Sequence, residues 1–210
     1  TIKAESGDIF LLGEHLARLK DSARYFDFSC AVKTILETIE ARAALLGAGT
    51  WRLRLLLSAD GSFDLTDAPL EARQAPLRFT IASTRVSSSD IFLCHPPTRR
   101  ARFEATLAAE AARGGADEVL FLNERGELTE GSRSNLFLRK DNTLLTPSLA
   151  SGCLPGTLRA RLLADPETQI VEQVLALADL DAADEILFGN SLRGLESANL
   201  LSEDLRLAGE

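Results

Sequence analysis

The stretch Glu127-Leu-Thr-Glu-Gly-Ser-Arg-Ser-Asn-Leu-Phe137 decides how the rest of this chain is read. It crowds polar groups between two apolar runs, Glu118 to Leu122 before it and the run from Asn135 to Arg139 at its end, both of which read as strands. A hairpin with solvated serines and asparagine is the plain account, since both residue types favour turns. A short turn needs fewer of them. Glu130, Ser132, Ser134 and Asn135 stand directly before the apolar pair Leu136-Phe137, so part of the array must face a cleft or find partners inside the protein.

Working outward, Asn123-Glu-Arg-Gly126 reads as the turn leading into the stretch, and Phe103 to Arg113 as an Ala-rich helix closed by Gly114-Gly115. Beyond it, a strand over 143–145, a helix from Leu158 after Pro155-Gly156, and a strand over 186–188 follow. Toward the start, Ile2 to Leu12 reads as two short strands about Ser6-Gly7-Asp8. His15 to Phe26 and Ala31 to Leu46 read as amphipathic helices, and Trp51 to Ser58 as a strand with Arg52 and Arg54 on its polar face. A further strand runs over 77–83. The small, polar Ser87-Ser-Ser-Asp90 reads as the linker, which predicts an α/β (α+β) chain of two lobes, residues 1–86 and 87–210, with a ligand cleft between them.

Composition bounds the function. The 210 residues suit one large or two small domains, and 45% hydrophobic with 26% charged is globular. A net charge of −8 argues against a nucleic-acid partner. The apolar runs are too short to span a bilayer, and no leader-like segment is seen. Cys30, Cys94 and Cys153 are scattered without a CxxC pattern, which argues against a zinc site and for a reducing, cytoplasmic setting.

Glu130-Gly-Ser-Arg-Ser-Asn-Leu-Phe137 resembles the signature of the class IV aminotransferases, the fold-type IV pyridoxal-phosphate enzymes. His15-Leu-Ala-Arg-Leu19 with Ser22, Leu154-Pro-Gly-Thr-Leu-Arg159 and Gly189-Asn-Ser-Leu-Arg-Gly194 resemble further segments of the same family, in the same order. The wording of Asp117 to Gly126 is closest to 4-amino-4-deoxychorismate lyase domains. The resemblance implies a two-lobe fold with the cofactor cleft between the lobes, a homodimer, and pyridoxal 5'-phosphate as cofactor. It places Glu130 at the pyridine nitrogen, where a carboxylate favours the protonated ring. Arg18, the amides of Thr157 and Leu158 at a helix start, and Ser191 fall at the phosphate. Thr1 corresponds to a threonine near the reacting carbon. Arg99, Arg100 and Arg102 form a positive cluster suited to a carboxylate substrate or, more simply, to a solvated helix face.

One position departs from the pattern. The family's Schiff-base lysine follows a histidine, and here the corresponding run is Cys94-His-Pro-Pro-Thr-Arg-Arg100, with Pro96 where the lysine belongs. Proline supplies no amine and no base; His95 as a replacement base competes with a packed or surface histidine. The chain has four lysines, Lys3, Lys20, Lys33 and Lys140, and Lys3 is the candidate surrogate because it shares a strand face with Thr1. Two functions are therefore expected from the resemblance. One is a lyase of folate biosynthesis, eliminating pyruvate to leave 4-aminobenzoate, or a related aminotransferase. The other is a pseudoenzyme that keeps the fold, with the cofactor bound non-covalently or absent, and serves as a dimerising or partner module beside an aminodeoxychorismate synthase.

Overall fold

The computed structural model describes residues 1–73, 76–90 and 100–201. The chain divides into two units, Thr1–Arg73 and Gln74–Glu210.

The first unit is an antiparallel sheet with two helices. Its strands are β1 (Ile2–Glu5), β2 (Asp8–Ile9), β3 (Thr50–Leu57) and β4 (Phe63–Pro69), in the order β2-β1-β3-β4. Helix α1 covers Leu12–Tyr25 and α2 covers Val32–Leu45. The two-residue period of β1 turns Ile2 and Ala4 inward, and the four-residue spacing of Ile35, Ile39 and Ala43 lays one stripe of α2 on them. Leu53 of β3 completes this core while Arg52 and Arg54 stay exposed. Each fully buried Ile or Leu here contributes roughly 1.5–3 kcal/mol.

His15 lies buried on α1. Burial foremost, with the positive charge of Arg18 adding to it, pushes its pKa down to about 3. The unfolded chain protonates near 6.5, so the folded state loses ground as pH falls from 6.5 toward 3 and is at full strength above 6.5. Between pH 7 and pH 4 this amounts to about 3 kcal/mol. Urea unfolding of the unaltered chain and of His15→Gln should therefore show a shallower acid slope in the variant, and equal slopes would contradict the assignment.

The second unit carries β5 (Leu77–Ile81), α3 (Arg100–Gly114), β6 (Glu118–Leu122), β7 (Leu128–Gly131), β8 (Asn135–Lys140), β9 (Thr143–Pro147) and α4 (Thr157–Ala164). It continues with β10 (Ile170–Gln173), α5 (Leu177–Asp181), β11 (Glu185–Asn190) and β12 (Gly194–Leu200). The strand order is β10-β9-β8-β11-β12-β5-β6-β7, and β7 also pairs with β8. That extra pairing closes six strands into a ring, which removes the edges of β7 and β8 at that point. Leu77, Phe79, Leu120, Leu122, Leu136 and Phe188 belong to the core of this sheet. The alternate residues Val119 and Phe121 of β6 pack instead with Leu107 and Phe103 of α3, the Phe103 and Phe121 ring centroids lying 4.5 Å apart. All five residues of β6 are therefore buried, although the first is a glutamate.

The division falls at Arg73 rather than at the expected 86/87 boundary, because β5 hydrogen-bonds in parallel to β6 and β12. Nor is Ser87 to Asp90 a loose linker. Val86 bridges to Asn123, and Ser88 donates its amide (2.8 Å) and hydroxyl (2.6 Å) to Glu124, which fastens the stretch to the turn before β7. Strands β4, β7, β10 and β12 and helix α5 add to the expected elements. Among the described residues, no helix is long and apolar enough to cross a membrane.

Candidate functional site

The polar stretch folds as β7, a tight loop and the start of β8. Leu120 of β6 pairs with Gly131 and Leu122 with Leu128, so Phe121 alone stands opposite both Thr129 and Glu130. This is a β-bulge, a device that bends a strand and re-aims a side chain. Thr129 holds it by donating its hydroxyl to the Phe121 carbonyl at 2.8 Å. Glu130 therefore sits in the bulge, buried, directly across from Asn135 on β8. The loop closes through the Gly131 amide, which donates to the Ser134 carbonyl at 2.7 Å.

Much of the polar array is satisfied internally. Ser132 donates both its amide (2.7 Å) and its hydroxyl to the buried carboxylate of Glu118. Ser134 Oγ lies 3.0 Å from Asn190 Nδ2. Glu127 receives a bidentate contact from Arg125 (2.8 and 2.7 Å) and a bond from Asn123 (2.7 Å). With Arg125 the largest cause and Asn123 next, its pKa is held down at about 2.

Asn135 joins the strand to the helix start. Its Nδ2 donates to the Leu154 carbonyl at 2.8 Å, and its Oδ1 lies where any Cβ on Gly156 would fall, 2.0 Å away. A side chain at 156 therefore requires Asn135 or the helix to shift. Gly156 is also the N-cap residue of α4, and it gives the helix start no side-chain acceptor. The first amides of a helix lack intrahelical partners and suit an anion. Thr157 and Leu158, the first two residues of α4, are buried. Arg159, next in the same turn, is only 3% exposed and anchors the helix by a bond to the Pro147 carbonyl (3.0 Å) and an ion pair with Glu172 (2.8 Å).

On the other side of β8, Asn135 pairs with Gly189 of β11. A Cβ at Gly189 would meet Leu195 at 2.7 Å, Phe137 at 2.9 Å and Leu158 at 3.2 Å, so glycine lets α4 lie close on β11. The turn after β11 carries Ser191, which is buried. Asn190 shapes that turn, its Oδ1 accepting the amides of Leu192 (2.9 Å) and Arg193 (3.0 Å).

Glu130 and the glycine that starts α4 both meet Asn135 inside the second unit, and Ser191 follows two residues after Gly189, the partner of Asn135 on β11. Thr1, Lys3 and Arg18 belong to the first unit. Lys3 is held by Glu5 in a 2.7 Å ion pair. Pro96, with His95 and Arg99, lies outside the described residues; Arg100 and Arg102 fall in α3. The second unit holds a single lysine, Lys140. It is exposed at the far end of β8, about 17 Å along the strand from Asn135 at ordinary strand rise. Glu118, Asn135 as a joint, and Asn190 were not singled out as site residues from sequence. A glutamate opening an otherwise apolar strand was the one available signal for Glu118. Among the described residues no group of three or more potential metal-binding side chains is assembled.

The donors match a particular ligand chemistry. A buried carboxylate suits a protonated ring nitrogen, and the start of a helix or a hydroxyl suits a phosphate. The model of the amino-transferase class IV family matches residues 1–198. A protein of Schizosaccharomyces pombe named "Putative aminodeoxychorismate lyase" is 29% identical over 191 residues, covering 89% of this chain and 82% of that protein. A structure described as a "Putative amino-acid aminotransferase" from Mesorhizobium loti superposes with a TM-score of 0.86 at 34% identity, covering 95% of this chain and 97% of that one. A hypothetical aminotransferase from Mycobacterium tuberculosis in its PLP-bound form shares the fold, with a TM-score of 0.84 at 23% identity over 97% of this chain and 80% of that one. With nearly its whole length matched, this chain belongs to the class IV aminotransferase family.

Proposed function

We propose that this chain binds pyridoxal 5'-phosphate in its second unit and acts on a small amino carboxylate in the manner of an aminodeoxychorismate lyase. The observation that carries this reading is that Asn135 meets both the buried Glu130 and Gly156, the residue that opens α4, while the buried Ser191 follows its β11 partner Gly189 by two residues. Glu130 holds the ring nitrogen protonated, while the amides of Thr157 and Leu158 with Ser191 hold the phosphate. Bound there, pyridoxal phosphate supplies an electron sink for a carbanion next to the substrate's amino group. Arg18 is assigned to the phosphate and Thr1 to the reacting side by family resemblance. The name of the S. pombe relative and the wording of Asp117 to Gly126 support elimination of pyruvate, giving 4-aminobenzoate, and the name of the M. loti structure supports the sister outcome, amino transfer.

A second reading has its own observation. Lys140 is the one lysine of the second unit, and its place at the exposed end of β8 removes it from covalent reach of Glu130's surroundings. With Pro96 at the position where the family resemblance puts the lysine, the site then recognises the cofactor without a covalent link and the chain acts as a binding or dimerising module. One experiment separates the two. Pyruvate release from 4-amino-4-deoxychorismate is measured with added pyridoxal phosphate, and the protein is then reduced with borohydride and peptide-mapped. Turnover with a pyridoxyl group on Lys3 supports the lyase with a surrogate lysine. Saturable binding with neither turnover nor label supports the second reading, and absence of binding contradicts both.

A further inference from the structure

Resting on the assignment of Glu130 to the cofactor's ring nitrogen, we infer that Glu118 is the positioning residue that sets Glu130 for that contact. Glu118 opens β6 and is only 3% exposed. A single oxygen, Oε1, accepts the Ser132 amide at 2.7 Å, the Ser132 hydroxyl, and the Val119 amide at 3.1 Å. A buried carboxylate costs stability unless it is well supplied with donors, and an apolar residue at the start of a buried strand avoids that cost. The other four residues of β6 are apolar, as packing alone would favour. Glu118 is the exception, and its donors come chiefly from the loop after Glu130.

The geometry shows what that contact achieves. Glu130 is flanked by two anchors, Thr129 fastened to the Phe121 carbonyl and Ser132 fastened to Glu118. Between Glu130 and Ser132, Gly131 is pressed so close that a Cβ would lie 2.9 Å from Glu118 Cδ and 3.0 Å from the Phe188 ring. The bulge turns Glu130 out of register, and Glu118 fixes where the chain re-enters the ladder. Releasing Ser132 frees the Glu130 end of the bulge, whereas the start of α4 keeps its own anchors, Asn135 on the Leu154 carbonyl and Arg159 on the Pro147 carbonyl. Ring recognition and phosphate recognition are thereby separable by mutation.

The test compares three probes on the full chain by calorimetry: pyridoxal phosphate, its 1-deaza analogue with carbon in place of the ring nitrogen, and inorganic phosphate. The unaltered chain should prefer pyridoxal phosphate to the deaza analogue by at least about 10-fold. In Glu118→Ala that preference should fall to about 2-fold, with phosphate affinity unchanged; Glu118→Gln, which keeps the acceptor oxygen, should restore part of it. A preference retained in full by Glu118→Ala, or an equal loss for all three probes, overturns the inference. Should that variant fail to fold, Ser132→Ala must lower the preference, and an unchanged value there overturns it equally. A missing preference in the unaltered chain overturns the role of Glu130 itself, and this inference with it.

Discussion

Glu130→Gln is expected to weaken pyridoxal phosphate binding by about 100-fold, because under the proposed function it removes the charge that pairs with the cofactor's ring nitrogen. Glutamine keeps the shape of the side chain, so the bulge, the Thr129 bond and the pairing with Asn135 should survive. What disappears is the negative charge that keeps a ring nitrogen protonated. The loss should therefore appear with pyridoxal phosphate and be almost absent with inorganic phosphate, which does not use the ring site. Any turnover should fall at least as far, since an unprotonated ring is a poorer electron sink. Thermal unfolding of the ligand-free chain should move little. A variant that binds the cofactor as well as the unaltered chain would show that Glu130 is buried for packing alone.

The second large effect comes from one methyl group. Gly156→Ala places a Cβ 2.0 Å from Asn135 Oδ1, far inside the non-bonded contact distance of carbon and oxygen. Asn135 must swing aside and give up its bond to the Leu154 carbonyl, or α4 must move. Overpacking and a lost hydrogen bond together should cost roughly 2–4 kcal/mol, read from urea unfolding. Phosphate affinity should fall as well, because the helix start is displaced. The origin of the effect is tested by a double-mutant cycle. In an Asn135→Ala background the added methyl should cost less than about 1 kcal/mol, leaving a coupling of 1–3 kcal/mol. Full additivity would mean that the two residues do not meet.

Local patterns were legible in the sequence, and long-range partners were not. The period of α2 and the alternation of β3 appear in the structure because one face of each element is buried and the other solvated. Strand β6 was readable from its apolar run alone. Strand β7 was hidden because its four residues, Leu-Thr-Glu-Gly, carry the composition of a turn yet are all buried. Their burial depends on Thr129, Glu130 and the following Ser132 finding partners on β6 and β8. Strand β12, Gly194–Leu200, was hidden for a related reason. It lacks β-branched residues and is defined by pairing with β11 and β5.

The site follows the same division. Glu130, Thr157, Leu158 and Ser191 could be named from motif resemblance, each within its own short segment. The contacts that assemble them, Asn135 with Leu154 and Gly156 and Ser132 with Glu118, join residues 14 to 21 positions apart in sequence. No local spacing encodes such contacts. The placement of Ser87 to Asp90 failed for this reason too, since Glu124 holds Ser88 from 36 residues away.

Under the proposed function, the second unit holds pyridoxal phosphate by ring and phosphate together. Titration of the full chain with pyridoxal phosphate in a calorimeter, with and without competing inorganic phosphate, is the decisive measurement. One saturable site per chain is expected, weakened by phosphate competition, by Glu130→Gln and by Gly156→Ala. Heats that show no saturable site, or a site indifferent to all three, would contradict it.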